Sequence, residues 1–521
     1  MTETRSIQVA GTDINLQNFS GLNEDVVIKT FLSFIDVANT STDRATAYNT
    51  KDEQRDAVNA IHRNLFTINR GLYGATLLLD GLTDYSKMVG VEKLLSEKDN
   101  RESSMLPLDI ETNIVIYLLN QLPPQRMLKL YEEIKEKRIN NSRTRNIILR
   151  TIINSKSLDY WSIKYRRKLR SALEHAWGKR TSSIIASILK RKSNTWDAKE
   201  QTIMIKNVHK YIVSNTNEYV YECLSFILGN EKDLNIETLK SYNEAKTNIT
   251  KGKKLPPEVL EGIRSIYHKN VTKEKVIEVA KDNFTEKEKM KVQTRAKQAG
   301  ISIAWDPSKQ EVVDLYIHAY KTGMSPEVKI ALKAKAEDAA KKAPLSYENI
   351  GILVDGSNSS RGDSTQELRP IAITLAIRDM LQATAKKSKV VYAGGLDKND
   401  LIYPLGETNL AKPLVQLFKE EPNAIFIISD GYENAPAGRV NEVLHAVRNM
   451  GCNIPVYQVT PVMSAESSGI KRLSDKLSVI PANKPSSLGL GMIKAMLESN
   501  LQDGIIGLFN LTLPKLKPTK K

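Results

Sequence analysis

The chain has 521 residues, carries 76 Lys and Arg against 60 Asp and Glu, and contains two cysteines. That length predicts two to four domains and excludes a mini-scaffold that needs staples to fold. Cys223 and Cys452 are too far apart for a zinc spacing or a disulfide framework, so a reducing, cytoplasmic setting is the simplest expectation. Residues 1–18 lack the apolar core of a signal peptide, and no apolar run approaches the roughly 20 residues of a membrane span. A soluble protein follows.

Residues 1–22 are rich in Ser, Thr, Asn, Asp and Gly with weak periodicity, and read as a flexible leader. From residue 23 the pattern becomes helical. Val26, Val27, Ile28, Phe31, Leu32, Phe34, Ile35 and Val37 suit a buried helix over 24–39, and Val58, Ile61, Leu65 and Ile68 mark one face of a second over 51–69. Further helices are predicted at 108–121, 125–138 and 143–153, with Pro123-Pro124 as a break. Short helices with polar turns, few strand signals and no fixed repeat period predict a HEAT-like stack of helical pairs over 23–344.

Residues 126–199 hold 20 Lys and Arg against 6 Asp and Glu, so nearly all of the net charge of +16 sits in this stretch. Such concentration points to a polyanion, with nucleic acid first and a membrane surface second. Within it, 158–177 reads as one helix. Trp161, Tyr165, Leu169, Leu173 and Trp177 recur every four residues as an apolar stripe, the usual pattern of a core face. Lys164, Lys168, His175 and Lys179 lie on another side, and Arg166, Arg167, Arg170 and Arg180 widen the cationic surface. Arg143, Arg145 and Arg150 precede it, and Lys190-Arg191-Lys192 follow. The competing reading is a solvated face without a partner. Residues 197–343 stay helical with balanced charge, and Pro344 with Ser346 marks a boundary.

Beyond it, strand-like and helical runs alternate: strands at 349–355, 389–393, 424–429 and 454–460, helices near 365–385, 410–420, 437–450, 467–477 and 487–500. This predicts a doubly wound α/β sheet over 345–505. Leu508–Leu513 reads as a last strand or a return to the helical part, within a C-terminal segment 506–521 that ends in a basic tail.

Three strand ends in this region carry chemistry. Ile350–Val354 runs into Asp355-Gly356-Ser357-Asn358-Ser359, Gly406-Glu407-Thr408 precedes a helix, and Ile425–Ile428 ends in Ser429-Asp430-Gly431. Open α/β sheets place their ligands at such carboxyl ends, and hard oxygen donors suit Mg²⁺. The order Asp-x-Ser-x-Ser, Gly-x-Thr-x-Leu, Ser-Asp-Gly resembles a von Willebrand factor A domain. That resemblance implies a metal-ion-dependent adhesion site made of Asp355, Ser357, Ser359, Thr408 and Asp430, holding Mg²⁺ or another divalent cation. With only two carboxylates, such a site leaves positions open to water or to a partner's carboxylate.

A long helical part followed by a C-terminal A domain is similar to the Ro ribonucleoprotein family, in which a ring of paired helices, the TROVE module, is closed by an A domain. Trp161-Ser162-Ile163-Lys164-Tyr165, Arg166–Lys168 and His175 resemble a basic helix of that family. The resemblance implies binding of small structured noncoding (Y-like) RNAs and of single-stranded RNA ends, with a role in RNA quality control or processing. Together with the local surplus of charge, it makes Arg143, Arg145, Arg150, Lys164, Arg166, Arg167, Lys168, Arg170, His175, Lys179 and Arg180 the expected RNA contacts. The alternative is a metal-dependent protein-interaction scaffold that docks an acidic partner, such as a nuclease or another protein, at the A-domain site. An enzyme is not expected: the sequence carries no catalytic triad, phosphate-binding Gly-Lys loop or zinc motif.

Overall fold

The computed structural model describes residues 6–9, 12–15, 23–39, 50–96, 104–341, 343, 346–362, 367–461, 471–482, 484–488, 493, 497 and 500–516. They fall into two compact units. One comprises Met1–Gly90, Lys98–Ile114 and Pro307–Lys521, and the other Val91–Glu97 and Val115–Asp306.

The first unit is built on a five-stranded, all-parallel sheet. Its strands are β3 (Tyr347–Asp355), β4 (Ala385–Ala393), β7 (Ala424–Ile428), β8 (Val456–Pro461) and β9 (Ser478–Ala482), in the order β4-β3-β7-β8-β9. Ile350, Ile352, Leu353 and Val354 of β3 and all of β7 are buried, as strands covered on both faces must be. Alternation along β7 splits the core. Ile425 and Ile427 join Leu353 against Leu414 and Leu417 of the Ala411–Phe418 helix and Leu444 of the Arg439–Asn449 helix. Phe426 stacks on Tyr457 at 5.3 Å. The expected helical part plus α/β sheet is what the chain forms.

Elsewhere the elements differ from the expectation in instructive ways. Residues 6–15 contain an antiparallel pair, β1 (Ser6–Val9) with β2 (Thr12–Asn15), where only a flexible leader was expected. A hairpin of β5 (Leu396–Lys398) and β6 (Leu401–Tyr403) turns at Asn399 and Asp400, both at positive φ, the conformation of a tight hairpin turn. Residues 471–477 are not helical. The Gln458 side chain holds them as a loop, donating to the Lys471 carbonyl at 2.8 Å and accepting from the Leu473 N–H at 2.9 Å. They lead into β9, an edge strand that tolerates Pro481. The helix expected over 487–500 lies mostly outside the described residues, as do 467–470 and the tail 517–521.

The expected C-terminal strand is instead the Leu501–Thr512 helix, capped by Asn500. Leu501, Gly504, Ile505, Leu508, Phe509 and Thr512 are its buried positions, and their spacing of three and four overrides the short alternating run. This helix packs on the Arg70–Thr76 helix. Lys515 Nζ reaches the Leu78 carbonyl at 2.9 Å, and the Ser487 hydroxyl donates to Asn39 Oδ1 at 2.9 Å. The early helices therefore share a core with the C-terminal elements, and the single module expected over 23–344 does not form one compact unit.

In the second unit, the Arg166–Trp177 helix packs against the Pro124–Glu136 and Ser142–Ile153 helices through Leu169, Ala172, Leu173 and Ala176. The continuous helix expected over 158–177 is broken at Tyr165 (φ −123°, ψ 23°), which separates it from the Leu158–Lys164 helix. The break resets the stripe: Leu158, Ser162 and Ile163 are buried before it, while Trp161 and Tyr165 are half-buried.

Arg70 and Glu111 form a buried ion pair in the first unit, with Arg70 also lying 5.0 Å from the Phe66 ring. Removing one partner strands the other charge away from water. Glu111→Ala is expected to cost about 3–5 kcal/mol, whereas Glu367→Ala, which breaks the exposed Arg361–Glu367 pair, should stay within about 0.5 kcal/mol. Denaturant titration of both variants checks this.

Candidate functional site

The sheet order contains a switch point. From β3 the chain crosses through the Arg369–Thr384 helix to β4 on one side, then returns through the Ala411–Phe418 helix to β7 on the other. A crevice opens at the carboxyl ends of strands where the order reverses. Asp355 ends β3, and Ser429-Asp430 follow β7, so two of the three motif segments flank that crevice.

The loops are sewn together by backbone and side-chain hydrogen bonds. Asn358 N–H donates to the Gly406 carbonyl at 3.2 Å, Leu405 N–H to the Gly356 carbonyl at 3.0 Å, and Ala435 N–H to the Thr408 carbonyl at 3.2 Å. Asn434 Oδ1 accepts from Thr408 N–H at 3.0 Å. The loop that carries Thr408 is thus held to both of the others. Gly431 (φ +86°) makes the turn after Asp430, where any side chain would meet the Lys471 carbonyl.

Asp355 is 1% exposed. Its Oδ1 accepts the Ser357 N–H at 3.0 Å and its Oδ2 the Ser429 hydroxyl at 2.8 Å. The Ser357 and Ser359 hydroxyls lie 3.0 Å apart, and Ser357 and Thr408 are each 2% exposed. Burial, assisted by the negative charge of Asp430, pushes the Asp355 carboxyl above the usual carboxylate range against the pull of its serine donors. Neither Asp355 nor Asp430 has an ion-pair partner among the described residues. A buried carboxylate beside a second one, with the Ser357 and Ser429 hydroxyls against it and no balancing cation among the described residues, is an arrangement that a hard divalent cation fits. Among the described residues no cluster of three or more His, Cys, Asp or Glu could hold a metal; the candidate donors here are two carboxylates and hydroxyls. Asp363 of the Arg361-Gly362-Asp363 sequence lies outside the described residues.

The eleven cationic candidates all lie in the second unit, but the structure sorts them into two sets. Lys164 pairs with Glu258 at 3.1 Å, Lys168 with Glu132 at 2.9 Å and Arg170 with Glu174 at 2.9 Å. Arg166 pairs with Glu231, which Lys246 also contacts at 2.9 Å, and lies 4.2 Å from the Phe226 ring. Those two cations hold the Glu231 carboxyl below its ordinary range despite its partial burial. His175 Nε2 bonds to the Ile139 carbonyl at 3.1 Å, Arg143 reaches the Leu94 carbonyl at 3.3 Å, and Arg145 lies 3.4 Å from the Ser142 hydroxyl. These seven are tied to their own unit. Arg150, Arg167, Lys179 and Arg180 are exposed and have no side-chain partner among the described residues. Lys190 and Lys192, beyond the assigned set, share that state. Sequence periodicity could locate the charge but not the distant glutamates that pair with Lys164, Arg166 and Lys168.

A cavity of about 670 Å³ lies in the first unit beside Tyr316, Arg378, Asp379 and Tyr392. Arg378 there already donates to Asp379 and to the Tyr392 hydroxyl at 2.9 Å, so its charge is committed to the fold. Among the described residues no helix is long and apolar enough to cross a membrane. Compared with protein-family models and with curated proteins, the chain matches none.

Arg166 and Arg167 are neighbours with opposite expected behaviour. Arg166→Ala should cost about 1–2 kcal/mol by removing a stacked cation and leaving Glu231 less balanced, while Arg167→Ala should change stability by less than about 0.5 kcal/mol. Thermal unfolding of the two variants separates them.

Proposed function

We propose that this chain is a Ro-like RNA-binding protein that takes small structured noncoding RNAs and single-stranded RNA ends. The observation that carries the reading is the set of exposed cations at Arg150, Arg167, Lys179 and Arg180, without a side-chain partner among the described residues, in one helical unit. Cations held in ion pairs must break them to meet a phosphate; these need only shed water and counterions. Phosphate contacts of this kind bind with little dependence on sequence and weaken steeply with salt. A-form RNA hides its base edges in a narrow groove, so shape and unpaired ends are what such a surface reads. Activity in cytoplasmic RNA quality control or processing, alone or beside a nuclease, fits this chemistry.

The A-domain site, in the same proposal, holds Mg²⁺ or another divalent cation through Asp355, Ser357, Ser359, Thr408 and Asp430. The cation would supply Lewis acidity and open coordination positions. The chain's own residues shape it: Ser429 and the Ser357 N–H orient the Asp355 carboxylate, and the three joined loops fix the hydroxyls. A scaffold role for this site has its own support. Leu405 and Tyr432, 56% and 54% exposed, are apolar side chains next to the motif loops, suited to a protein partner whose carboxylate completes the metal shell.

Two measurements test these readings. Charge reversal of Arg150, Arg167, Lys179 and Arg180 should lower affinity for a structured RNA at moderate salt by at least about tenfold and flatten its salt dependence. Reversal of Asp355 should not. Filter retention equal to wild type in the quadruple variant would sink the RNA assignment. Mg²⁺ at about 100 times its dissociation constant should stabilise the wild-type chain by about 2.7 kcal/mol and leave Asp355→Ala unmoved; an equal response of both would remove the metal assignment. Nuclease-resistant, EDTA-sensitive capture of an acidic protein would favour the scaffold.

A further inference from the structure

A cleft of about 490 Å³ in the second unit lies outside the surface assigned above. One wall is the turn Lys190–Asn194 that follows the Lys179–Ile188 helix, and the opposite wall is the loop 230–235 after the Asn217–Leu228 helix. Trp196 and Tyr221 stand between them with ring centroids 5.0 Å apart, tilted by 57°. Trp196 is 8% exposed and its indole N–H points to the Arg191 carbonyl at 3.4 Å, so it backs the cleft; Tyr221 is half-buried.

The walls are built before any ligand arrives. Glu222 Oε1 accepts the backbone N–H groups of Asn235 and Ile236 at 2.7 and 2.6 Å, which fixes the loop. The Ser225 hydroxyl donates to the Leu189 carbonyl at 2.9 Å and accepts from Asn230 Nδ2 at 3.1 Å, tying one wall to the other. Gly229 (φ +118°) ends the helix and turns the chain into that loop. Lys190, Lys192 and Lys232 line the opening, exposed and without a side-chain partner among the described residues. Arg191 is bonded to Glu200 and takes no part.

Glu218 and Asp233 also line the cleft, but three free lysines at its opening, aromatic rings and amide side chains on a fixed loop match the needs of one unpaired nucleotide. A base stacks, its phosphates meet the cations, and its edge meets an amide. We infer that this cleft is a seat for a single-stranded nucleotide, with Tyr221 as the stacking face, Lys190, Lys192 and Lys232 as phosphate contacts, and Asn230 or Asn235 as the base-edge contact. The inference rests on the RNA reading and refines it: the free cations of the neighbouring helices hold a duplex, and this cleft takes an unpaired nucleotide of the same RNA. A duplex end is a poor fit, because a paired base has already committed its Watson–Crick edge and has none free for the cleft's amide.

The test uses the full chain with two fluorescent probes, a uridine oligomer of about twelve nucleotides and a blunt RNA hairpin. Tyr221→Ala and Lys190→Ala/Lys192→Ala/Lys232→Ala should each weaken the oligomer by roughly tenfold and leave the hairpin within about twofold. The triple variant should also lower the salt slope for the oligomer by about 0.7 for each phosphate it no longer neutralises. Tyr221→Phe, which keeps the ring, should bind as wild type. In the wild-type chain, 4-thiouridine placed in the oligomer should crosslink within 190–196, 221 or 230–235, a readout that survives if Tyr221→Ala fails to fold. Crosslinks elsewhere, or oligomer binding unchanged in the triple variant, overturn the seat while hairpin binding keeps the RNA reading. Absence of binding to both probes by wild type overturns both.

Discussion

β3 is the strand on which the first unit depends. It has hydrogen-bonded neighbours on both sides and apolar cover on both faces, so its backbone and its side chains from Ile350 to Val354 are out of water. It then ends in a carboxylate that is itself 1% exposed. A charged group in that position is costly unless polar partners surround it. The chain supplies them from its own loop and from the loop after β7, through the Ser357 N–H and the Ser429 hydroxyl. The strand order that reverses beside β3 fixes both the sheet and the meeting of the loops that carry Asp355, Thr408 and Asp430.

The second unit works by a different constraint. It carries a large surplus of positive charge, and a helical stack can hold such a surplus only by dispersing or pairing it. The Arg166–Trp177 helix is the centre of that arrangement. Its apolar face packs on two neighbours, while Arg166, Lys168 and Arg170 are taken up by glutamates from the Glu231 loop, the Pro124–Glu136 helix and its own last turn. What remains exposed and unpaired among the described residues of 126–199 is a smaller set that includes Arg138, Arg150, Lys156, Arg167, Lys179, Arg180, Lys190 and Lys192. A count of charge along the chain thus overstates the surface open to a polyanion.

Much of this was legible in the sequence, for identifiable reasons. The apolar runs of β3 and β7 are short, continuous and end in Asp-Gly turns, so both strands could be read directly. The helices over 24–39 and 51–69 announced themselves by periodicity. The last helix did not, because Leu508-Phe509-Asn510-Leu511-Thr512-Leu513 alternates like a strand until the buried set at Leu501, Ile505, Leu508 and Thr512 is known. β9 was hidden by its proline, and the break at Tyr165 by an unbroken four-residue stripe that continues through it. Packing of the early helices with the C-terminal elements left no local signal, since it rests on pairs such as Asn39 with Ser487 that are hundreds of residues apart. The partners of Lys164, Arg166 and Lys168 were invisible for the same reason, and so was the Tyr221 cleft, whose two walls come from separate stretches of chain.

In the proposed division of labour, unpaired cations of the helical unit hold RNA and the metal-site loops do not. Sequencing of RNA that co-purifies with the intact chain, beside the Arg150, Arg167, Lys179 and Arg180 charge-reversed variant and Asp355→Ala, is the decisive measurement. A structured noncoding RNA should be enriched on wild type and on Asp355→Ala and absent from the charge-reversed variant. Equal RNA on all three chains, or none above background on wild type, would contradict that division.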